Sequence, residues 1–170
     1  TALAGRPAEL RIARAGLHRA ELAVAAGDTR RLAAARAAVW TAVLAASFEE
    51  ATGAAGRSEI GRARGWLLVR EFRPPTRFSR AAEDATLALD ALAAGSTAPG
   101  AAAVTIRTEL LDTYDSRLRS ALTAVGEASA AGLPEQRAEA GALAQGYWRI
   151  VRPSFVAQRG RAAARNVDGV

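Results

Sequence analysis

Apolar positions recur every three or four residues along most of the chain, and glycine or proline interrupts each run. Pro7 suits the first turn of a helix reaching about residue 26, and Gly27-Asp28 ends that helix and caps the next. Leu32, Val39, Trp40, Val43, Leu44 and Phe48 hold helical spacing, which predicts a second helix from about 29 to 52, with 53–56 as the loop. Ser58 is placed to cap a third helix lasting to Phe72 or Arg73, where Pro74-Pro75 cannot continue it. Ser79 is placed to cap a fourth over about 80–94, and Gly95 stops it. Pro99 opens the longest helix, to about 131, with Val104, Leu111, Tyr114, Leu118, Leu122 and Val125 along one face. Gly132-Leu133-Pro134 repeats the stop and start, for a sixth helix to about 151 that breaks at Pro153 and ends by 160. No run of β-branched residues alternates as a strand would. The predicted fold is all-α: an antiparallel up-and-down bundle of about six helices, one domain over 1–160, with 161–170 as tail or linker.

Composition sharpens the picture of the core. Apolar residues make up 50% of the 170 but aromatics only 5%, and alanine supplies most of the rest, so the helices must approach closely to bury much surface. Trp66, Phe72, Tyr114, Leu118 and Trp148 are the expected large core side chains. The longest nearly uninterrupted apolar stretch, 37–48, is shorter than the ~20 residues of a spanning helix. Thr1 in place of Met is consistent with a removed signal peptide or a cut chain.

Charge is asymmetric. All 23 basic residues are arginine, for a formal net charge of +6. Residues 57–80 set seven arginines against Glu59 and Glu71, whereas 81–132 set seven acids against Arg107, Arg117 and Arg119. An arginine-only basic corner fits phosphate contact, and it fits equally a chain rich in Arg, Ala and Gly throughout. One reading is therefore a basic helical module binding nucleic acid or a partner protein through residues 57–80. Another makes Arg70, Glu71, Arg77 and Tyr114 an internal network, with Arg70 and Arg77 paired to Asp84 or Asp112.

Enzymatic chemistry has little to stand on, and no enzyme activity is expected. Without cysteine there is no thiolate ligand or nucleophile. The lone histidine, His18, three residues before Glu21, cannot complete a di-iron helical site or a Ser-His-Asp set. Hard cations would need oxygen ligands, and the candidates are Glu49, Glu50, Asp84, Asp112 and Asp115, with Tyr114 as a phenol oxygen. Glu83 and Asp90 share the fourth helix with Asp84, and Glu109, Asp112 and Asp115 step by three along the fifth.

Several stretches together are similar to a known family. AAGD (25–28) leads to Phe48-Glu49-Glu50; WLLVREFRPPTRFSRAAEDATLALDAL follows at 66–92, LLDTY at 110–114, GYW at 146–148 and QRG at 158–160. This set resembles the extracytoplasmic helical domain that precedes the membrane part of bacterial high-affinity iron permeases. The resemblance implies a soluble, periplasmic or cell-surface domain that collects or presents iron or docks accessory proteins. The implied partners are a membrane permease domain, in the same precursor or separate, and an iron-delivery protein; the implied metal is an iron ion, and nucleic acid is not an expected partner. The family's Arg-Glu-x-x-Glu motif belongs to its membrane helices, and Arg70-Glu71 departs from it with Pro74 where the second Glu would stand.

Overall fold

The structure, a computed structural model, describes residues 5–72 and 84–168. Among these the chain forms six helices and no strand, as expected for an all-α bundle: α1 (Pro7–Ala25), α2 (Thr29–Gly56), α3 (Ile60–Leu67), α4 (Ala85–Ala93), α5 (Pro99–Ala130) and α6 (Pro134–Asp168). Short connections turn α1 back on α2 and α5 back on α6. Pro7, Pro99 and Pro134 each open a helix, where a missing N–H costs nothing. Asp28 caps α2 by accepting from the Arg31 N–H at 3.0 Å.

The center of the bundle is α2, which packs against α1, α3, α5 and α6. Its interior face is built mostly of Ala42, Leu44, Ala46, Phe48, Ala51, Ala54 and Ala55. Small side chains let neighbors come close: a Cβ added at Gly146 of α6 would fall on the side chain of Thr41, itself buried and donating to the Ala37 carbonyl at 2.9 Å. Ser47 ties α2 to α3 by donating to the Trp66 carbonyl at 2.7 Å. By length and composition alone α2 could cross a membrane, and about half of its most apolar window is buried inside the bundle.

Several predicted boundaries move. Residues 53–56 continue α2 instead of forming a loop, because Ala54 and Ala55 are buried against the core and offset the two flanking glycines. Ser58 does not cap α3; it adopts φ 60°, and Glu59 precedes the helix without a side-chain cap. The third helix stops at Leu67, short of the proline pair, and α4 starts at Ala85, capped by Asp84 accepting from the Thr86 N–H at 2.7 Å. Arg73, Pro74, Pro75, Arg77 and Ser79 lie outside the described residues.

In α6 the break is at Gly160, not Pro153, and residues 161–168, expected as a tail or linker, are helical. Gly160 takes φ 85° and ψ 162°, a conformation essentially confined to glycine. A straight helix would carry Asp168 roughly 24 Å beyond Arg152. Instead its carboxylate accepts from the Arg152 guanidinium at 2.7 Å and the Trp148 indole N–H at 2.8 Å, so the last segment doubles back. Ala164 is sealed in the turn.

Of the expected core, Tyr114 is fully buried, while Trp66, Leu118 and Trp148 are partly buried at its margin. Phe72 is not core: it is 63% exposed, beyond the end of α3, under the Arg70 guanidinium at 4.8 Å. Val104 and Leu122 also face outward. The buried face of α5 instead runs through Ala102, Ile106, Leu110, Thr113 and Tyr114, because a 3.6-residue period drifts across a 32-residue helix.

Candidate functional site

The densest polar construction lies where the segment after α3 crosses the bundle. Glu71, only 16% exposed in its side chain, accepts on Oε1 from the Trp40 indole N–H at 2.5 Å and on Oε2 from the Tyr147 hydroxyl at 2.7 Å. Arg117 Nε stands 3.3 Å from the same Oε2, an ion pair by distance whose angle falls short of a hydrogen bond. One carboxylate thus ties α2, α5 and α6 to the corner. Tyr147 stacks on Tyr114 with ring centers 6.2 Å apart, and Phe48 meets Tyr114 edge-on at 6.3 Å. Burial, with the Glu71 charge behind it, pushes both phenols far above their ordinary range. Both are neutral at physiological pH, Tyr147 as a donor and Tyr114 with no hydrogen-bond partner for its hydroxyl among the described residues.

Among the described residues no hydrogen bond or ion pair joins Arg70, Glu71 and Tyr114, the expected network members, to one another; Glu71 is wired instead to Trp40, Tyr147 and Arg117. Among the described residues Arg70 donates to the Thr86 hydroxyl at 2.8 Å, not to Asp84 or Asp112. Arg77 lies outside the described residues. The partners Trp40, Tyr147 and Arg117 were not legible as such. Trp40 read as an apolar-face residue and Tyr147 only as part of the GYW stretch, and nothing in a linear pattern joins Glu71 to positions 31 residues before and 76 residues after it.

The candidate metal ligands do not gather. Among the described residues no group of three or more His, Asp or Glu could hold a metal ion. Glu50 is buried on α2 between two arginines, accepting from Arg6 at 2.9 Å and from Arg62 at 2.6 Å. Burial raises its pKa, but the two guanidinium groups together outweigh that and hold it below the usual value. Glu49 is half-exposed, 4.0 Å from Arg6. Asp84 is spent on capping α4, and Asp115 pairs with Arg119 one turn on, at 2.9 Å. Asp112 is half-buried on α5 and has its own partner, as has Glu109, which accepts from the Ala85 N–H. His18 is exposed, 3.6 Å from Glu21.

Among the described residues of the basic corner, three arginines are paired with acids. Arg57 pairs with Glu59 at 2.7 Å, Arg62 with Glu50, and Arg64 with Asp90 at 2.5 Å. What the arrangement does chemically is hold helices together: paired guanidinium and carboxylate groups fix the corner against α2, α4 and α5, and the Tyr147 hydroxyl reaches it from α6.

No curated protein and no solved structure matches the chain. The family model described as "Iron permease FTR1 N-terminal domain" matches residues 1–169, essentially the whole chain, and the protein belongs to that family.

Proposed function

We propose that the chain is the extracytoplasmic helical domain of an iron permease and that it serves as a non-catalytic docking module beside the membrane-embedded permease. Family membership supports a place in iron uptake. The observation that carries the docking role is the commitment of the acids: Glu50 and Asp115 sit in ion pairs with arginine and Asp84 caps a helix, which leaves them poor ligands for a hard cation. The paired state of Arg57, Arg62 and Arg64 likewise supports a protein partner over nucleic acid, whose phosphates would have to displace those carboxylates.

Calorimetric titration with ferrous and ferric ion, under controlled speciation, tests the role. Little or no heat is expected up to about 1 mM metal. Saturable heat that disappears in an Asp112→Ala/Asp115→Ala variant would make the domain an iron collector instead. Placement is tested separately. The chain has no cysteine, so Ser58→Cys introduces its one thiol, which in an intact permease otherwise cleared of cysteine should react with a membrane-impermeant maleimide on whole cells. Protection until lysis would reverse the topology.

A further inference from the structure

Helix α1 packs with its residue sizes inverted. The face it turns to α2 is made of Ala13, Gly16 and Ala23, while Leu17, Leu22 and Val24 are 55%, 58% and 65% exposed. The contact is tight: a Cβ at Gly16 would come within 2.6 Å of Val39 Cγ2. An ordinary surface helix buries its large apolar side chains and shows its small ones. Beside this contact runs an open groove of about 320 Å³, lined by Leu17 and Ala20 of α1 and by Arg36, Val39, Trp40 and Val43 of α2. The α2 positions follow the i, i+3, i+4, i+7 pattern of one helix face, on the helix whose most apolar window is only half covered by the bundle. Trp40 is 40% exposed here although its indole N–H is held by Glu71, so the ring edge is anchored.

We infer that this groove is a docking site for one amphipathic α-helix of a separate partner protein, with apolar side chains at helical spacing and a carboxylate to meet Arg36. Two neighboring helices present a concave slot into which the ridge of a third fits, and a flat bilayer would touch only its rims. Among the described lining residues the single charge is a cation, and the chain carries +6, so an acidic partner is attracted and a second copy of this chain is repelled. The inference rests on the docking reading above and names the chemistry of the partner.

The test uses the full chain and a designed peptide of about 18 residues, long enough to hold a helix, with leucines at i, i+3, i+4 and i+7 and glutamates on the flanks. A second peptide has lysine for every glutamate. Titration followed by amide chemical shifts should show saturable binding of the glutamate peptide, with shifts confined to α1, the first half of α2 and the Trp40 indole. Its affinity should exceed that of the lysine peptide at least tenfold. Arg36→Glu, at an exposed position, should reverse the preference, and Leu17→Ser should weaken both peptides at least fivefold. Equal binding of the two peptides, no binding, or indifference to Arg36→Glu overturns the inference. So does binding of phosphatidylglycerol vesicles through the same residues in place of the peptide, or self-association that blocks the groove. A failed peptide titration leaves the iron titration to decide the docking reading by itself.

Discussion

At the scale of single residues, two tyrosines a ring's distance apart should respond oppositely to loss of a hydroxyl. The Tyr147 hydroxyl donates to Glu71, whereas the buried Tyr114 hydroxyl meets no partner among the described residues. Tyr147→Phe should therefore cost about 1–2 kcal/mol, and Tyr114→Phe should be neutral or slightly stabilising, in denaturant melts at neutral pH. Equal losses at both positions would mean that Tyr114 has an acceptor. Glu50 makes a second residue-scale prediction. Its folded pKa lies below the ordinary carboxylate value, so its contribution is present above about pH 4.3 and is lost as pH falls through the folded value. Asp168, held down to about 2 by Arg152 and then by Trp148, follows the same sign. Stability should fall between about pH 4 and 2, and Glu50→Gln, costing about 1–3 kcal/mol at pH 7, should flatten that slope. A variant whose pH profile runs parallel to the parent would remove Glu50 from the account. Such partners are the part of the molecule that a linear pattern hides: Glu50 read as a metal ligand and Glu71 as a network member with other partners, and only packing reveals which arginines face them.

At the scale of elements, α6 depends on one backbone conformation. Gly160→Ala should cost about 1–3 kcal/mol locally, because an L side chain resists φ 85° with ψ 162°. The measurable result is faster amide exchange over 161–168 and a red-shifted Trp148, with α1–α5 unchanged; uniform exchange in both proteins would show that the bend is unstrained. Helix positions were legible from punctuation wherever a break coincided with proline at a helix start, as at Pro99 and Pro134. They were misread where burial overrode propensity, as at Ala54 and Ala55 between two glycines, and where proline was tolerated inside a helix, as at Pro153. The outward drift of Val104 and Leu122 has a different origin, since a stripe read on a flat wheel assumes one partner along all 32 residues of α5. In the folded chain that helix is covered by α4 and α2 as well as α6.

At the scale of the whole molecule, the bundle is held by closeness more than by bulk. Gly146→Ala should destabilise by about 1–3 kcal/mol, since its methyl group would overlap Thr41 where α2 and α6 cross. Adding Thr41→Ala should recover part of the loss in a double-mutant cycle, and simple additivity would show that the two do not meet. The all-α class was readable because helical periodicity runs through each long segment and no strand-like alternation competes with it. The candidate site was not, because the hub at Glu71 joins positions far apart in the chain. The central position of α2 also has a consequence in time. Thr41 meets Gly146, yet α6 begins only at Pro134, so the long apolar helix α2 is made well before one of its main covers. At ~5–20 residues per second, the interval is on the order of ten seconds, far longer than a helix needs to form. Through that interval α2 has α1 and α3 to pack on, but the flank that α6 will cover is exposed to whatever is nearby. Safe maturation then depends on a holding chaperone or on export before folding, and pulse-labelled chains halted between residues 60 and 130 should be the ones such a factor captures.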